Sequence, residues 1–196
     1  MFTGIIHEIG TISEFTKHTN GASMKLKVTK NIINEVKIGE SVAIDGACHS
    51  IVQILDNRLE FFSSDETLNK TITANYINGT LVNIELPLRP FDRIGGHFVS
   101  GHIDCVGLVH NIIKTETFWN LDIKIPSEFI KYCISKGSIS INGVSLTVNS
   151  INKNIISLCI IPITLEKTNI KNFQNNLAIN LEFDLLGKYA LNINDK

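Results

Sequence analysis

Phe2-Thr3-Gly4-Ile5-Ile6 returns 97 residues later as Val99-Ser100-Gly101-His102-Ile103. Carried along the chain, that offset brings Gly10 onto Gly107, and Met24, Leu26 and Val28 onto Leu121, Ile123 and Ile125, with Lys27 on Lys124. Ser41 falls on Ser138, Gly46 on Gly143, Cys48 on Ser145 and Ser50 on Thr147. Farther on, Thr67-Leu68 meets Thr164-Leu165, Lys70-Thr71 meets Lys167-Thr168, and Asn83 and Glu85 meet Asn180 and Glu182. One register without a gap over almost the whole chain means two copies of one domain. The copies join near Arg89–His97, where Pro90 and Gly95-Gly96 punctuate the pattern. The expected domains are residues 1–97 and 98–196.

Within each copy the dominant period is two. Met24/Lys25/Leu26/Lys27/Val28 alternates, and so does Leu121 to Ile125 around Asp122 and Lys124. This is the signature of a strand with one buried face. His7–Ser13, Ser41–Gly46, His49–Leu55, Leu59–Ser63 and Leu81–Leu86 read as further strands, with equivalents in the second copy. Asp45-Gly46 and Asn142-Gly143 signal turns between strands, either tight hairpins or wider loops. About six short strands per copy favour a small closed barrel, because closure removes exposed edges. The predicted architecture is all-β: two tandem homologous six-stranded antiparallel Greek-key barrels. Short helical turns are expected after Thr29 and Ser127, and a short C-terminal helix over Leu185–Asn192.

Composition narrows the function. Of 196 residues, 43% are hydrophobic and 19% charged, enough apolar material to bury a core. Eighteen basic residues against nineteen acidic ones leave a net charge of -1, no footprint for nucleic acid or an anionic membrane. The start Met1–Ile6 lacks the positive region and apolar run of a secretory signal. No segment approaches the roughly 18 apolar residues of a membrane span. Cys48, Cys105, Cys133 and Cys159 lie far apart, so they are expected to be reduced, mostly buried thiols of a cytoplasmic protein, with no metal site.

The repeat is strict at small polar positions too: Thr3/Ser100, Ser41/Ser138, Cys48/Ser145, Ser50/Thr147 and Thr67/Thr164. Packing alone does not require hydroxyls there. Hydroxyls and backbone amides beside glycines suit a flat, uncharged ring with many acceptors. Each copy is therefore read as carrying a similar pocket, and two like pockets suit a reaction between two identical molecules. The bland alternative is that duplication only enlarges a domain too small to bury much surface.

Met1-Phe2-Thr3-Gly4-Ile5, Gly95-Gly96-His97-Phe98-Val99-Ser100-Gly101-His102-Ile103-Asp104 and Ile141-Asn142-Gly143-Val144-Ser145-Leu146-Thr147-Val148 resemble the riboflavin synthase family across essentially the full chain. The resemblance implies a cytoplasmic transferase that dismutates two molecules of 6,7-dimethyl-8-ribityllumazine into riboflavin and 5-amino-6-(D-ribitylamino)uracil, the last step of riboflavin biosynthesis. It implies no cofactor and no metal. It also implies a homotrimer with sites between the N-terminal barrel of one chain and the C-terminal barrel of a neighbour, and leaves room for association with a lumazine synthase.

By the same resemblance, Gly4, Ile5 and Ile6 would join Cys48, His49 and Ser50 and the run Phe62, Ser63, Ser64, Asp65, Glu66 and Thr67 in an N-terminal pocket. Gly101, His102, Ile103 and Lys136 would join Ser145, Leu146 and Thr147 and the run Cys159, Ile160, Ile161, Pro162, Ile163 and Thr164 in a C-terminal one. Phe2 would wall the site, beside Thr3. His102, an imidazole titrating near neutrality, is the expected proton-transfer group, against the commoner structural role of a lone histidine. Cys48 would be a nucleophile or a polar wall, where a solitary cysteine is usually a small buried apolar residue. Ser41 would hydrogen-bond near the reacting ring and Asp184 would orient a reacting group, against ordinary roles as a strand-edge hydroxyl and a surface acid. His97, with His102 and Asp104, lacks the companions of a metal site. Ser50 stands where the family usually has Thr, His49 where it has Leu and Ile163 where it has a polar residue. The tail after Tyr189 is also shorter than the family's trimer-forming helix. Lumazine or flavin carriers with the same duplicated barrel are the alternative, and an oligonucleotide-binding barrel lacks its basic groove and stacked aromatics here.

Overall fold

The computed structural model describes residues 1–194. Strands β1 (Glu8–His18), β2 (Gly21–Lys27), β3 (Ser41–Ile44), β4 (Ala47–Leu55), β5 (Arg58–Ser64) and β6 (Leu81–Glu85) close a barrel in the order β1-β2-β5-β4-β3-β6, every pair antiparallel. Three consecutive hairpin strands flanked by a returning β2 make this a Greek key. The second copy, β7 (Cys105–Lys114), β8 (Trp119–Lys124), β9 (Ser138–Ile141), β10 (Val144–Asn152), β11 (Ile155–Ile160) and β12 (Ala178–Phe183), closes in the equivalent order. Helix α1 (Lys30–Glu35) is answered by a 3-10 turn at Ser127–Tyr132. Helices α2 (Asp65–Lys70) and α3 (Pro162–Lys167) correspond, and α4 (Leu185–Asn194) ends the described chain two residues beyond the expected limit.

The 97-residue offset holds down to the irregularities. Pairing slips between Ile12 and Glu14 in β1 and between Val109 and Asn111 in β7, and again between Ile51 and Gln53 and between Val148 and Ser150. Such bulges bend strands where a barrel must turn. Inside the first barrel lie Ile12, Met24, Leu26, Val42, Ile44, Ile51, Leu59 and Phe61; their counterparts Val109, Leu121, Ile123, Ile139, Ile141, Val148, Ile156 and Leu158 fill the second. Each such buried side chain contributes roughly 1.5–3 kcal/mol relative to exposure.

The barrels meet through their tightest turns. Asp45-Gly46 (φ 44° and 79°) and Asn142-Gly143 (φ 45° and 81°) are two-residue hairpins with both residues left-handed, the geometry that matches strand twist. They sit back to back, so that a Cβ on Gly46 would lie 2.6 Å from the Gly143 nitrogen. Asn83 and Asn180 lock the seam: Asn83 Oδ1 accepts the Asn169 N–H at 2.7 Å and Asn180 Oδ1 accepts the Ile72 N–H at 2.8 Å. Their amide groups donate to the carbonyls of Asn142 (2.8 Å) and Asp45 (2.9 Å).

All four cysteines are free, but they are not mostly buried. Cys105 is buried, Cys48 and Cys133 are half-buried, and Cys159 is exposed on the outward face of β11, between the inward Leu158 and Ile160. Among the described residues no helix is long and apolar enough to cross a membrane.

Candidate functional site

Phe2 and Val99 pair across the approximate two-fold axis that relates the barrels, with Phe2 N–H on Val99 O at 2.7 Å and Val99 N–H on Phe2 O at 3.1 Å. From this bridge each glycine-led segment runs onto the other barrel. The Gly4 carbonyl accepts the Ser145 N–H at 2.8 Å, and the Gly101 carbonyl accepts the Cys48 N–H at 2.9 Å. The expected grouping is thereby exchanged: Gly4–Ile6 lie with Ser145, and Gly101–Ile103 lie with Cys48. A repeat register pairs equivalent positions but does not say which barrel a segment crosses to.

Glycine is required at both contacts. Gly4 (φ +77°) and Gly101 (φ +85°) are left-handed, and a Cβ would stand 2.5 Å from Ser145 Cβ at the first and 2.7 Å from Cys48 Cβ at the second. A carboxylate from the last strand of each barrel holds each segment. Glu85 accepts Thr3 N–H (2.7 Å), Thr3 Oγ1–H (2.9 Å) and Gly4 N–H (3.0 Å). Glu182 accepts Ser100 N–H (2.6 Å), Ser100 Oγ–H (2.7 Å) and Gly101 N–H (3.0 Å). Burial raises both carboxyls above the ordinary glutamate value, and the donors draw them back. Both glutamates stand out in the repeat, but nothing in their spacing points to a partner some 80 residues away.

At the end of the first barrel, Ala47, Cys48, Glu66, Thr67, Lys70, Thr71, Gly101, His102 and Ile103 line a cavity of about 270 Å³. Cys48, Glu66, Thr67, Gly101, His102 and Ile103, all expected from the sequence, therefore converge; Lys70 joins them unexpectedly. Ser64 caps α2 by accepting the Thr67 N–H at 3.3 Å, with Asp65 and Glu66 in the first turn, where the helix dipole favours acids. Phe62 is exposed and stacks on His18, ring centroids 6.3 Å apart. Ser41 and Ser50 are cross-strand partners on β3 and β4. His49 and Ser63 depart from expectation: their side chains are buried in the barrel, His49 Nδ1 lying 3.4 Å from Ser63 Oγ and against the Phe61 ring. Strand alternation explains it, since Ile51, two residues on from His49, is core. Burial pushes the His49 imidazole down to about 4.

At the second barrel, Ser145 Oγ sits 2.7 Å from His97 Nδ1, under Gly96, where a Cβ would clash with the serine. Burial lowers the His97 imidazole, opposed by the Asp184 carboxylate, and leaves Nε2 without a partner. Thr147 pairs with Ser138 as Ser50 does with Ser41, and Leu146 packs against the barrel core. Lys136 is exposed on a left-handed backbone (φ 67°) pinned by its N–H to Val148 O at 2.7 Å. Cys159, Ile161, Pro162 and Ile163 are exposed and Thr164 half-buried, but Ile160 faces into the barrel. Ile5 is exposed, Ile6 packs on the second barrel's core, and Phe2 is fully buried. Asp184 accepts the Leu186 N–H at 3.0 Å and so caps α4. Among the described residues no cluster of His, Cys, Asp or Glu has the spacing to hold a metal.

A larger groove, about 730 Å³, follows the seam past Asp45, Tyr76, Asn142, Asn169 and Phe173 and includes none of the expected residues. Its buried polar floor is already satisfied internally: Asp45 accepts from Asn83 N–H, Tyr76 Oη–H and Asn169 Nδ2–H at 2.8, 2.9 and 2.8 Å.

With this geometry in view, comparison with known proteins is specific. The lumazine binding domain matches twice, over residues 3–87 and 100–184. The chain is 36% identical over 189 residues to riboflavin synthase of Photobacterium leiognathi and 38% identical over 191 residues to that of Photobacterium phosphoreum, in each case over 96% of this chain and 87% of the relative. The Bacillus subtilis riboflavin synthase is 32% identical with the same coverage. Among solved structures, LumP complexed with riboflavin superposes with a TM-score of 0.87 at 28% identity, and LumP with 6,7-dimethyl-8-(1'-D-ribityl) lumazine with 0.86 at 27%, each over 93% of this chain and 99% of the other. The chain belongs to the riboflavin synthase family and is an enzyme of that type, built from two lumazine-binding domains.

Proposed function

We propose that the protein binds two molecules of 6,7-dimethyl-8-ribityllumazine and dismutates them to riboflavin and 5-amino-6-(D-ribitylamino)uracil. The two products together contain the atoms of the two substrates, so the four-carbon transfer needs no oxidant, reductant or cofactor. The observation that carries the reading is the pair of equivalent glycine-led segments, each seated beside a small nucleophilic side chain of the opposite barrel. One ring sits by Cys48, Thr67 and His102; the other by Ser145, Thr147, Lys136 and the outward-facing residues Cys159, Ile161, Pro162 and Ile163. Ser41 and Ser50 supply hydroxyls to the first ring, and Phe2 underlies both contacts. Two rings stacked face to face gain most of their advantage from held geometry. His102, exposed at the cavity mouth, removes the acidic proton of the C7 methyl group. Asp184 orients the opposite partner. As the family resemblance implies, the reacting faces meet between the N-terminal barrel of one chain and the C-terminal barrel of a neighbour in a homotrimer, in the cytoplasm.

LumP, a solved relative in the same fold, is described bound to lumazine, riboflavin and flavin mononucleotide, and it motivates a second reading as a carrier. Mixing the purified protein with the lumazine separates the two. Riboflavin appearing supports the enzyme, and tight binding without product supports the carrier. His102→Ala is expected to lower turnover about a hundredfold while changing lumazine affinity less than threefold; unchanged turnover removes His102 from the chemistry.

A further inference from the structure

Residues 100–104 carry His102 to the mouth of the first-barrel cavity, and both ends of the segment are tied to acids. Glu182 holds Ser100 and Gly101, and the Ser100 hydroxyl in turn accepts the His102 N–H at 3.1 Å. At the other end Asp104 Oδ2 accepts the Phe183 N–H at 2.8 Å, and the Asp104 N–H donates to Leu181 O at 2.9 Å. Lys188, in the first turn of α4, donates from Nζ to both Asp104 oxygens, at 2.9 and 2.8 Å, with the two side chains 22% and 20% exposed. Its charge also draws the Glu182 carboxyl back down against burial. The cation thus ties α4 directly to the acid at the far end of the segment, while Glu182 holds the near end through its own three donors.

The first copy has no such arrangement. Asp104 corresponds to His7, whose Nδ1 takes only a long 3.4 Å hydrogen bond from Leu86 N–H. Lys188 corresponds to Phe91, which projects freely into solvent. Helix α4 exposes Leu186, Tyr189 and Ile193, so the Lys188–Asp104 pair is a principal polar tie between it and the barrel.

We propose that Lys188 is a positioning residue: through Asp104 it fixes residues 100–104, so that the folding-back of α4 sets where His102 stands above the Cys48 cavity. A bidentate, four-fifths-buried pair has the geometry in which a charge contact holds position, unlike the exposed pairs elsewhere on the surface. Its catalytic consequence rests on the role given to His102 above; its structural part does not. The test uses the full chain with Lys188→Met, Asp104→Asn, the double variant, and Lys188→Arg as the conservative rescue. Amide exchange at residues 100–104 is expected to accelerate about tenfold in both single variants, no further in the double, and to return to normal in Lys188→Arg, while β1–β6 are unchanged. In parallel, kcat for the lumazine should fall about tenfold with KM within twofold. Exchange that rises in α4 alone, or nowhere, overturns the proposal. Faster exchange at 100–104 with unaltered kcat supports the positioning and removes His102 from the reaction instead.

Discussion

The two barrels share a frame down to their bulges and turns, yet they differ at several positions where a proton can be carried. Cys48, His49, Asp45 and Tyr76 in the first stand where the second has Ser145, Leu146, Asn142 and Phe173. Conversely, the second copy brings His102, Asp104 and Asp184 where the first has Ile5, His7 and Pro87. The shared parts are those that seat the two glycine-led segments and join the barrels: left-handed glycines, the Glu85 and Glu182 clamps and the asparagine seam. The unequal parts are chemical. A duplicated fold can thus repeat one frame while setting different titratable groups into it, which suits the proposed reaction between two copies of one molecule.

The shared frame is easiest to break at its glycines. Gly4→Ala and Gly101→Ala should each cost about 3 kcal/mol in urea unfolding, combining left-handed strain with a steric clash. Gly39→Ala, at φ +89° with nothing within 4 Å, isolates the strain and should cost about 1 kcal/mol. Equal losses at all three would mean that the contacts to Ser145 and Cys48 are slack.

The chemical differences sharpen through pH. Between pH 6.5 and about 4 the unfolded chain takes up a proton at His49 that the folded barrel refuses. The His49 contribution is therefore present above 6.5 and lost as pH falls towards 4, by roughly 3 kcal/mol in all. His49→Leu, which copies Leu146, should flatten that acid slope in a series of denaturant titrations; a slope that persists would place the acid sensitivity elsewhere. Asp45 has the opposite sign. Burial pushes its carboxyl up to about 7, although three donors pull it back. The folded state then keeps a proton that the unfolded state has released, so this contribution is full below about 4 and fades as pH rises to about 7. Asp45→Asn, copying Asn142, should flatten this pH dependence, read from melting temperatures at pH 4 and 7.5. The smallest effect is expected at the cavity wall: Cys48→Ser, copying Ser145, should leave turnover within about threefold, because a polar wall survives the exchange. A hundredfold loss would instead require the thiolate as a covalent participant.

Much of this was legible in the residues. Alternation at Met24–Val28 and Leu121–Ile125 marked the strands, and Asp45-Gly46 and Asn142-Gly143 marked turns without choosing between a tight hairpin and a wider loop, because both signals are local. Resemblance named Cys48, Thr67 and His102 as pocket residues but divided them between two pockets, since a perfect internal register is silent about which barrel a segment crosses to. The inward turn of His49 could have been read from the parity of Ile51. The pairing of His97 with Ser145, and of Lys188 with Asp104, lies beyond sequence reasoning, because each depends on where a linker and a terminal helix fold back rather than on any periodicity.

A crystal structure with a non-reacting lumazine analogue tests the central claim most directly. Two rings per chain are predicted, one against Cys48 and Gly101–Ile103, the other against Ser145–Thr147 and Gly4–Ile6. Rings found in the groove along the Asn83–Asn180 seam, or absent from both glycine-led segments, would contradict it.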